Sequence, residues 1–482
     1  MFAASPSGGG RGGNPGEPGG ESWLLRTAKD RSADGEAAEA GETGRLLDNV
    51  ASKGNMARAL LHVARNKGAA GVDGRSVEDV VAHARRLLPR LRHELLEGVY
   101  QPGAIRRVWI PKPGGKGRRG LGIPNVMDRW VQQSVLQVLE PIFDPDFHAS
   151  SHGFRPHRGT VTAITEAKRH IGEGYEWVVD IDLSNFFDRV NHQRLLSRLA
   201  QRIEDGRVLK LIHRMVKAKV VMPDGTVVTT GEGTPQGGPL SPLLSNVVLD
   251  ELDWELQRRG HRFARYADDC NIYVRSQRAG ERVMASIRRF IERRLRLKVN
   301  EEKSSVGRSG QLQFLGFRLK RTKGGEIEVY LSRRSVQRIR QKIRELTPRN
   351  FGSSLKDCMD RISRYLRGWY GYFRQCTQWG ARRFKKHDAH IRRRLRAIII
   401  RQKGRRPRYL YRHLVSRGVR PGFAKLAAYM SRGVWKRSIS RGIHTAYMNS
   451  WFQERLYSLW DAWQTEFDPV EVSYQQARLF AD

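Results

Sequence analysis

Cysteine is scarce in this chain. Cys270, Cys358 and Cys376 are the three among 482 residues, far apart and without CxxC spacing, which argues against both a disulfide framework and a structural zinc site. A reducing compartment is expected. Long apolar runs are missing as well: RAIIIRQ (396–402) is the nearest approach, far short of the ~18 residues that a spanning helix needs. No membrane partner is expected. Acids are in short supply, with 49 Asp and Glu against 88 Lys and Arg, a formal net charge of +39. Such an excess implies a polyanionic partner, nucleic acid foremost. The N-terminus, MFAASPSGGGRGGNPGEPGG, has neither the apolar core of a signal peptide nor the acid-poor basic character of a transit peptide, so a cytoplasmic, nucleoid-associated protein is expected.

What is present falls into blocks. Residues 1–45 are rich in Gly, Pro, Ser, Ala and Glu without periodicity and read as a disordered tail, with a short helical turn at WLLRTAKD (23–30). Apolar residues then fall at helical spacing from Leu46, and residues 77–99 form a second helical stretch with a kink expected at Pro89. IRRVWIPKPGGKGRRGLGIP (105–124) reads as two strands joined by a basic glycine-rich loop. Strands and helices alternate to about residue 330. Beyond it the chain is helical and very basic: about twenty Lys or Arg lie between Ala381 and Ser450 against one acid, Asp388.

Two acidic clusters stand out in strand-like surroundings. In WVVDIDLSNFFD (177–188) the alternation of side chains puts Asp180 and Asp182 on one face. In RYADDCNIYV (265–274) Asp268 and Asp269 interrupt a run of strand formers. Laid side by side, these strands bring at least three carboxylates together, which repel and raise one another's pKa. Divalent magnesium resolves that repulsion, since it prefers hard oxygen ligands. Two such ions suit in-line phosphoryl transfer.

DLSNFFD (182–188) and YADD (266–269), with 86 residues from Asp182 to Asp268, resemble the catalytic core of reverse transcriptases. GTPQGGPLSPLLSNVVLDELD (233–253) resembles the family's nucleotide-binding loop and following helix. VWIPKPGGKGRRGLGIPNVMDRWVQQ (108–133) and SSHGFRPHRGT (150–160) resemble its fingers. LKVNEEKS (297–304), FLGFRL (314–319) and RYLRGWYGYF (364–373) then follow in the order seen in proteins encoded by group II introns. The resemblance implies an α+β right hand, with fingers, an antiparallel palm and a helical thumb, plus a basic helical C-terminal domain. The expected boundaries are a tail at 1–45, fingers at 46–170, palm at 171–330, thumb or maturase domain at 331–390 and a nucleic-acid-binding region at 391–482.

It also implies roles. Asp182, Asp268 and Asp269 are the catalytic residues and, with the carbonyl of Leu183, the ligands of two Mg2+ ions; Asp180 is a supporting acid. Phe187 blocks a ribose 2′-OH, Gln236 and Gly237 pack against the incoming dNTP, and Lys112 and Arg119 reach its triphosphate. Ser241 and Pro242 make an N-cap and N1 pair. Arg155 and Arg158 track template backbone, and Lys303 lies near the palm. For Phe314, Leu315 and Phe317 core packing competes with a role at the primer end.

In the basic C-terminal third, Arg367, Arg392, Arg393 and Arg394 are expected on nucleic acid, because salt bridges cannot shield so many cations. No HNH endonuclease pattern is visible. The implied activity is copying of an RNA template, the host group II intron, into DNA on a DNA primer or target, combined with maturase binding that aids splicing and retromobility. The alternatives are a domesticated relative in phage defence or DNA repair, or mainly an RNA-binding splicing cofactor. The oligomeric state, monomer or homodimer, stays open.

Overall fold

The computed structural model describes residues 20–29, 45–111 and 117–467, apart from 230, 235, 349–351, 353, 405 and 432. The chain forms two interleaved units: residues 1–159, 179–272 and 281–305 make the first, and residues 160–178, 273–280 and 306–482 the second.

The first unit opens with helices. WLLRTAK lies within a helix Gly20–Lys29, longer than the expected single turn. The stretch after Ser76 breaks into Val77–Ala82 and Ala84–Leu96. The interruption falls at His83, six residues before Pro89, which the second helix carries in its interior. Ser76 and Asp79 form a capping box at the start of the first of these helices, each accepting the other's backbone N–H. Helix Val126–Phe143 buries Trp130 completely, and its indole N–H donates to the Met56 carbonyl at 2.7 Å. Among the described residues no helix is long and apolar enough to cross a membrane.

Among the described residues ten short strands position the chemistry. β1 (Ile105–Pro111) and β2 (Arg118–Ile123) form the expected antiparallel hairpin; Lys112 lies outside the described residues. β4 (Val220–Val221) joins β1 in parallel and pairs β5 (Val227–Val228) antiparallel. Ile105, Ala218 and Val220 bury one another there, with Met222 packed against them. A second sheet has the order β6 (Arg262–Tyr266), β7 (Asp269–Val274), β3 (Trp177–Ile181), β8 (Ser305–Arg308). β7 and β3 are therefore neighbours, the arrangement needed to gather the acids.

The second unit holds an antiparallel pair, β9 (Phe317–Arg321) with β10 (Ile327–Leu331), and mostly helices beyond it. Helix Leu355–Phe373 places Ile362, Leu366 and Tyr370 in the core, leaves Tyr365, Trp369 and Phe373 half-buried, and exposes Tyr372. Helix Gln378–Lys403 carries the arginine-dense stretch, with Phe384, Ile391, Leu395, Ile398 and Ile399 buried as a stripe under the cations.

Candidate active site

Strands β6 and β7 are joined at Ala267 and Asp268, and Ala267 adopts a left-handed conformation with φ +56°. A non-glycine residue there costs energy, so the surroundings must hold it. Gly153 supplies one constraint: a Cβ at that position would stand 2.3 Å from the Ala267 amide nitrogen. Only glycine lets the two backbones approach so closely. The Asn246 amide donates to the Gly153 carbonyl at 2.9 Å and fixes that loop in turn.

Beneath the turn, Arg265 is fully buried. Its guanidinium donates to both carboxylate oxygens of Asp253, at 2.7 and 2.5 Å, to Asn246 Oδ1 at 3.0 Å, to Ser151 Oγ at 2.7 Å and to the Ala267 carbonyl at 2.9 Å. A buried cation tolerates burial only when so completely partnered. None of Arg265, Asp253, Asn246 and Ser151 was singled out from sequence. The available signal was alternation: Arg265 shares its face of β6 with buried Phe263 and must point inward.

Asp180 lies in β3 and Asp182 just past its end. The Asp182 backbone is clamped, its N–H donating to Ser304 Oγ at 3.1 Å and its carbonyl accepting from Asn300 N–H at 2.8 Å. Leu183 forms a bridge with Val299. Lys303 Nζ stands 3.3 Å from Asp182 Oδ2.

The acids sense one another. Burial pushes the Asp180 carboxyl up to about 7, and the charge of Asp182 adds to it. Burial raises Asp268, and Asp182 raises it further while Arg119 and Arg265 pull it back. Asp269 is raised well above the usual carboxylate range, by burial first and then by Asp180, Asp268 and Asp182. Among the described residues no three His, Cys, Asp or Glu side chains close into a ready-made metal cage.

The glycine loop at 233–238 is latched on both sides. Gly122 N–H donates to the Gln236 carbonyl at 2.8 Å, and Arg119 Nε donates to Gln236 Oε1 at 2.9 Å. Gly237 has φ +131°, and a Cβ there would lie 2.3 Å from the Gly122 carbonyl oxygen, so the loop presses onto β2. Thr234 N–H donates to the Phe187 carbonyl at 2.6 Å, which brings the half-buried Phe187 beside the same loop; its ring packs edge-on against Phe186. Ser241 is the first residue of helix Ser241–Arg258, not its cap; Leu240 occupies that position and no side chain caps the helix.

Arg155 requires correction. It is buried, paired with Asp144 at 2.7 Å and bonded to the carbonyls of Asp144, Phe147, His148 and Ser151. A guanidinium with that many internal acceptors ties the loop together and does not track template. Arg158 donates to the Ala149 carbonyl. In the second unit, Arg367 is exposed over the Tyr457 ring, Arg393 stacks on Trp435, Arg394 bonds Thr347, and Arg392 is half-buried. Phe314 and Phe317 are core residues on either side of Leu315 and Gly316, both at positive φ.

Carboxylates whose charges reach one another thus lie at adjoining strand ends, and the Arg119 that acts on Asp268 also latches the glycine loop. Residues 110–319 match the family described as Reverse transcriptase (RNA-dependent DNA polymerase), and residues 336–417 match Group II intron, maturase-specific domain. Protein YkfC of Escherichia coli (strain K12) is 35% identical over 354 residues, covering 64% of this chain and 90% of YkfC. Group II intron-encoded protein LtrA of Lactococcus lactis is 29% identical over 306 residues, 50% of this chain and 51% of LtrA, so the match spans about half of that relative. A putative COX1/OXI3 intron 2 protein of Saccharomyces cerevisiae is 34% identical over 172 residues, 36% of this chain and 20% of that protein. The chain belongs to the reverse transcriptases encoded by group II introns and is an RNA-directed DNA polymerase with a maturase domain.

Proposed function

We propose that the chain extends a DNA primer with dNTPs on an RNA template, its host intron, and that Asp182, Asp268 and Asp269 carry the chemistry. The observation behind this is the gathering of half-buried acids, whose charges reach one another, where β3 ends and β7 begins. An all-oxygen donor set, in which neighbouring negative charge raises Asp268 and Asp269, fits hard divalent cations. Asp182, Asp268, Asp269 and the Leu183 carbonyl would hold two Mg2+ ions, which supply charge neutralisation for the attacking and leaving oxygens.

The chain's own residues do the rest. Arg119, exposed at the rim and already bonded to Gln236, turns its guanidinium to the triphosphate. Gly237 keeps the loop low enough for the nucleotide to lie flat, and Phe187 occupies the space of a 2′-OH, which selects deoxynucleotides. The primer 3′-hydroxyl gives its proton to solvent as its oxygen bonds the α-phosphorus, the bond from that phosphorus to the bridging β-phosphate oxygen breaks, and pyrophosphate leaves. Lys303, beside Asp182, holds a counter-charge at the site's edge. On this reading residues 46–170 serve as fingers, 171–330 as palm, 331–390 as thumb and 391–482 as a nucleic-acid-binding region.

The test is primer extension on RNA with dNTPs and with rNTPs. An Asp268→Ala, Asp269→Ala double variant is expected to lose extension and to keep RNA binding. Extension that persists in this variant, or preferential rNTP incorporation, would overturn the assignment.

A further inference from the structure

Away from the acids, three cavities within the second unit adjoin between helix Arg333–Leu346 and helix Gln378–Lys403. The first, about 510 Å³, lies beside Trp379, Arg382 and Arg333. It shares Arg340 and Lys386 with a middle cavity of about 370 Å³. That one shares Arg344 and His390 with the third, about 1100 Å³, which reaches Arg401, Trp435 and Lys436. Shared walls make them one groove. No Asp or Glu is among the residues lining the three.

Each end carries an indole. Trp379 is 51% exposed and Trp435 39%. Arg382 lies 3.7 Å from the centre of the Trp379 ring, and Arg393 lies 4.0 Å from that of Trp435. A cation on one face leaves the other side of an exposed ring for a flat partner and makes the stack stronger. Between the rings, cations line the floor. Arg318 and Arg393 each bury an Nε with no hydrogen-bond partner among the described residues, a cost that is relieved when the guanidinium turns onto an incoming oxygen.

We propose that this groove binds an unpaired stretch of nucleic acid, with phosphates along Arg340, Lys386 and Arg344 and a base stacked at Trp379 and at Trp435. Cavities of a few hundred Å³ accept nucleotide-sized groups. Paired bases already stack on each other and leave no face for an indole, so a single strand is the occupant that uses both features. The inference rests on the reading of this chain as a nucleic-acid enzyme, and it adds a second binding track that the polymerisation chemistry does not require.

The test uses the full chain and fluorescence anisotropy with a labelled unstructured RNA 20-mer, the matching DNA strand and an RNA duplex. Trp379→Ala and Trp435→Ala are each expected to weaken single-strand binding about tenfold, the double variant about a hundredfold, with duplex binding unchanged. Phenylalanine at either position is expected to restore most of the affinity, which separates stacking from misfolding. Arg340→Gln with Lys386→Gln is expected to flatten the salt dependence by about 1.4 in log–log slope. A preference for the RNA or the DNA strand names the natural occupant and supports the inference either way. Binding within twofold of wild type in the double tryptophan variant, equal loss on duplex, or full displacement of RNA by poly-glutamate would overturn it. Asp182→Asn keeps the two readings apart, since it is expected to remove primer extension and leave groove affinity unchanged.

Discussion

Arg265 and Asp253 form an ion pair in which neither side chain has any solvent exposure. It links strand β6 to helix Ser241–Arg258, and through the Ala267 carbonyl it reaches the turn that presents Asp268. Removing one charge strands the other in a medium that cannot solvate it, at a cost on the order of 3–5 kcal/mol. Asp253→Asn should therefore lower the unfolding free energy by about that amount in urea titrations, and Arg265→Lys, with Asp253 intact, should lower it too because an ammonium cannot reproduce the two-point contact with both oxygens. A change under ~1 kcal/mol would mean that the pair is dispensable.

Asp182→Asn, Asp268→Asn and Asp269→Asn should each reduce primer extension to background. Stability should move the other way. Burial disfavours the ionised forms of Asp268 and Asp269 and the neighbouring charges add to it, so a neutral amide at either position relieves repulsion. Thermal melts in EDTA should show Tm unchanged or raised for these two variants; a marked fall would assign the acids a structural role instead.

Gly153 and Gly159 offer a matched pair in one loop. A Cβ at 153 meets the backbone of the turn, whereas one at 159 meets nothing within 4 Å. Gly153→Ala should cost ~100-fold in kcat, because a small displacement of catalytic groups is expensive. Gly159→Ala should behave as wild type.

Burial pushes His387 down to about 4, and the charges facing it, Arg340, His390 and Arg383, act in the same direction. Its folded value lies below the unfolded value of ~6.5. Folding thus favours the neutral ring, and the associated stability is complete above pH ~6.5 and lost as pH falls through about 4. Between pH 7 and 4 the wild type should lose up to about 3 kcal/mol more than His387→Phe. Parallel pH-stability curves would refute this.

Arg119→Ala should raise the KM for dNTPs, since the residue bonds Gln236 of the glycine loop at the rim. Steady-state extension with varied dNTP will show it. An unchanged KM with a collapsed kcat would place Arg119 at the reacting centre instead.

The aspartates were legible because their motifs are short and local: alternation alone places Asp180 and Asp182 on one side of β3, and YADD marks its own turn. The supports were not. Lys303 meets Asp182 across 121 residues of chain, and no local pattern encodes such a pairing. Arg155 misled for a different reason: in so basic a chain an arginine beside a glycine-rich loop reads as surface, yet the Asp144 carboxylate eleven residues earlier draws it inside. Pro89 misled by rule: helix Ala84–Leu96 carries it in its interior, and the break falls at His83 instead.

The clamp on Asp182 sets an order of events during synthesis. Its backbone is fixed by Asn300 and Ser304, and that of Ser184 by Lys298. A ribosome that has finished both acidic motifs has not yet supplied these partners. The nascent chain therefore carries all four clustered aspartates for some thirty residues before the backbone of Asp182 is locked in place, and a fragment ending between residues 270 and 298 would hold them without that clamp.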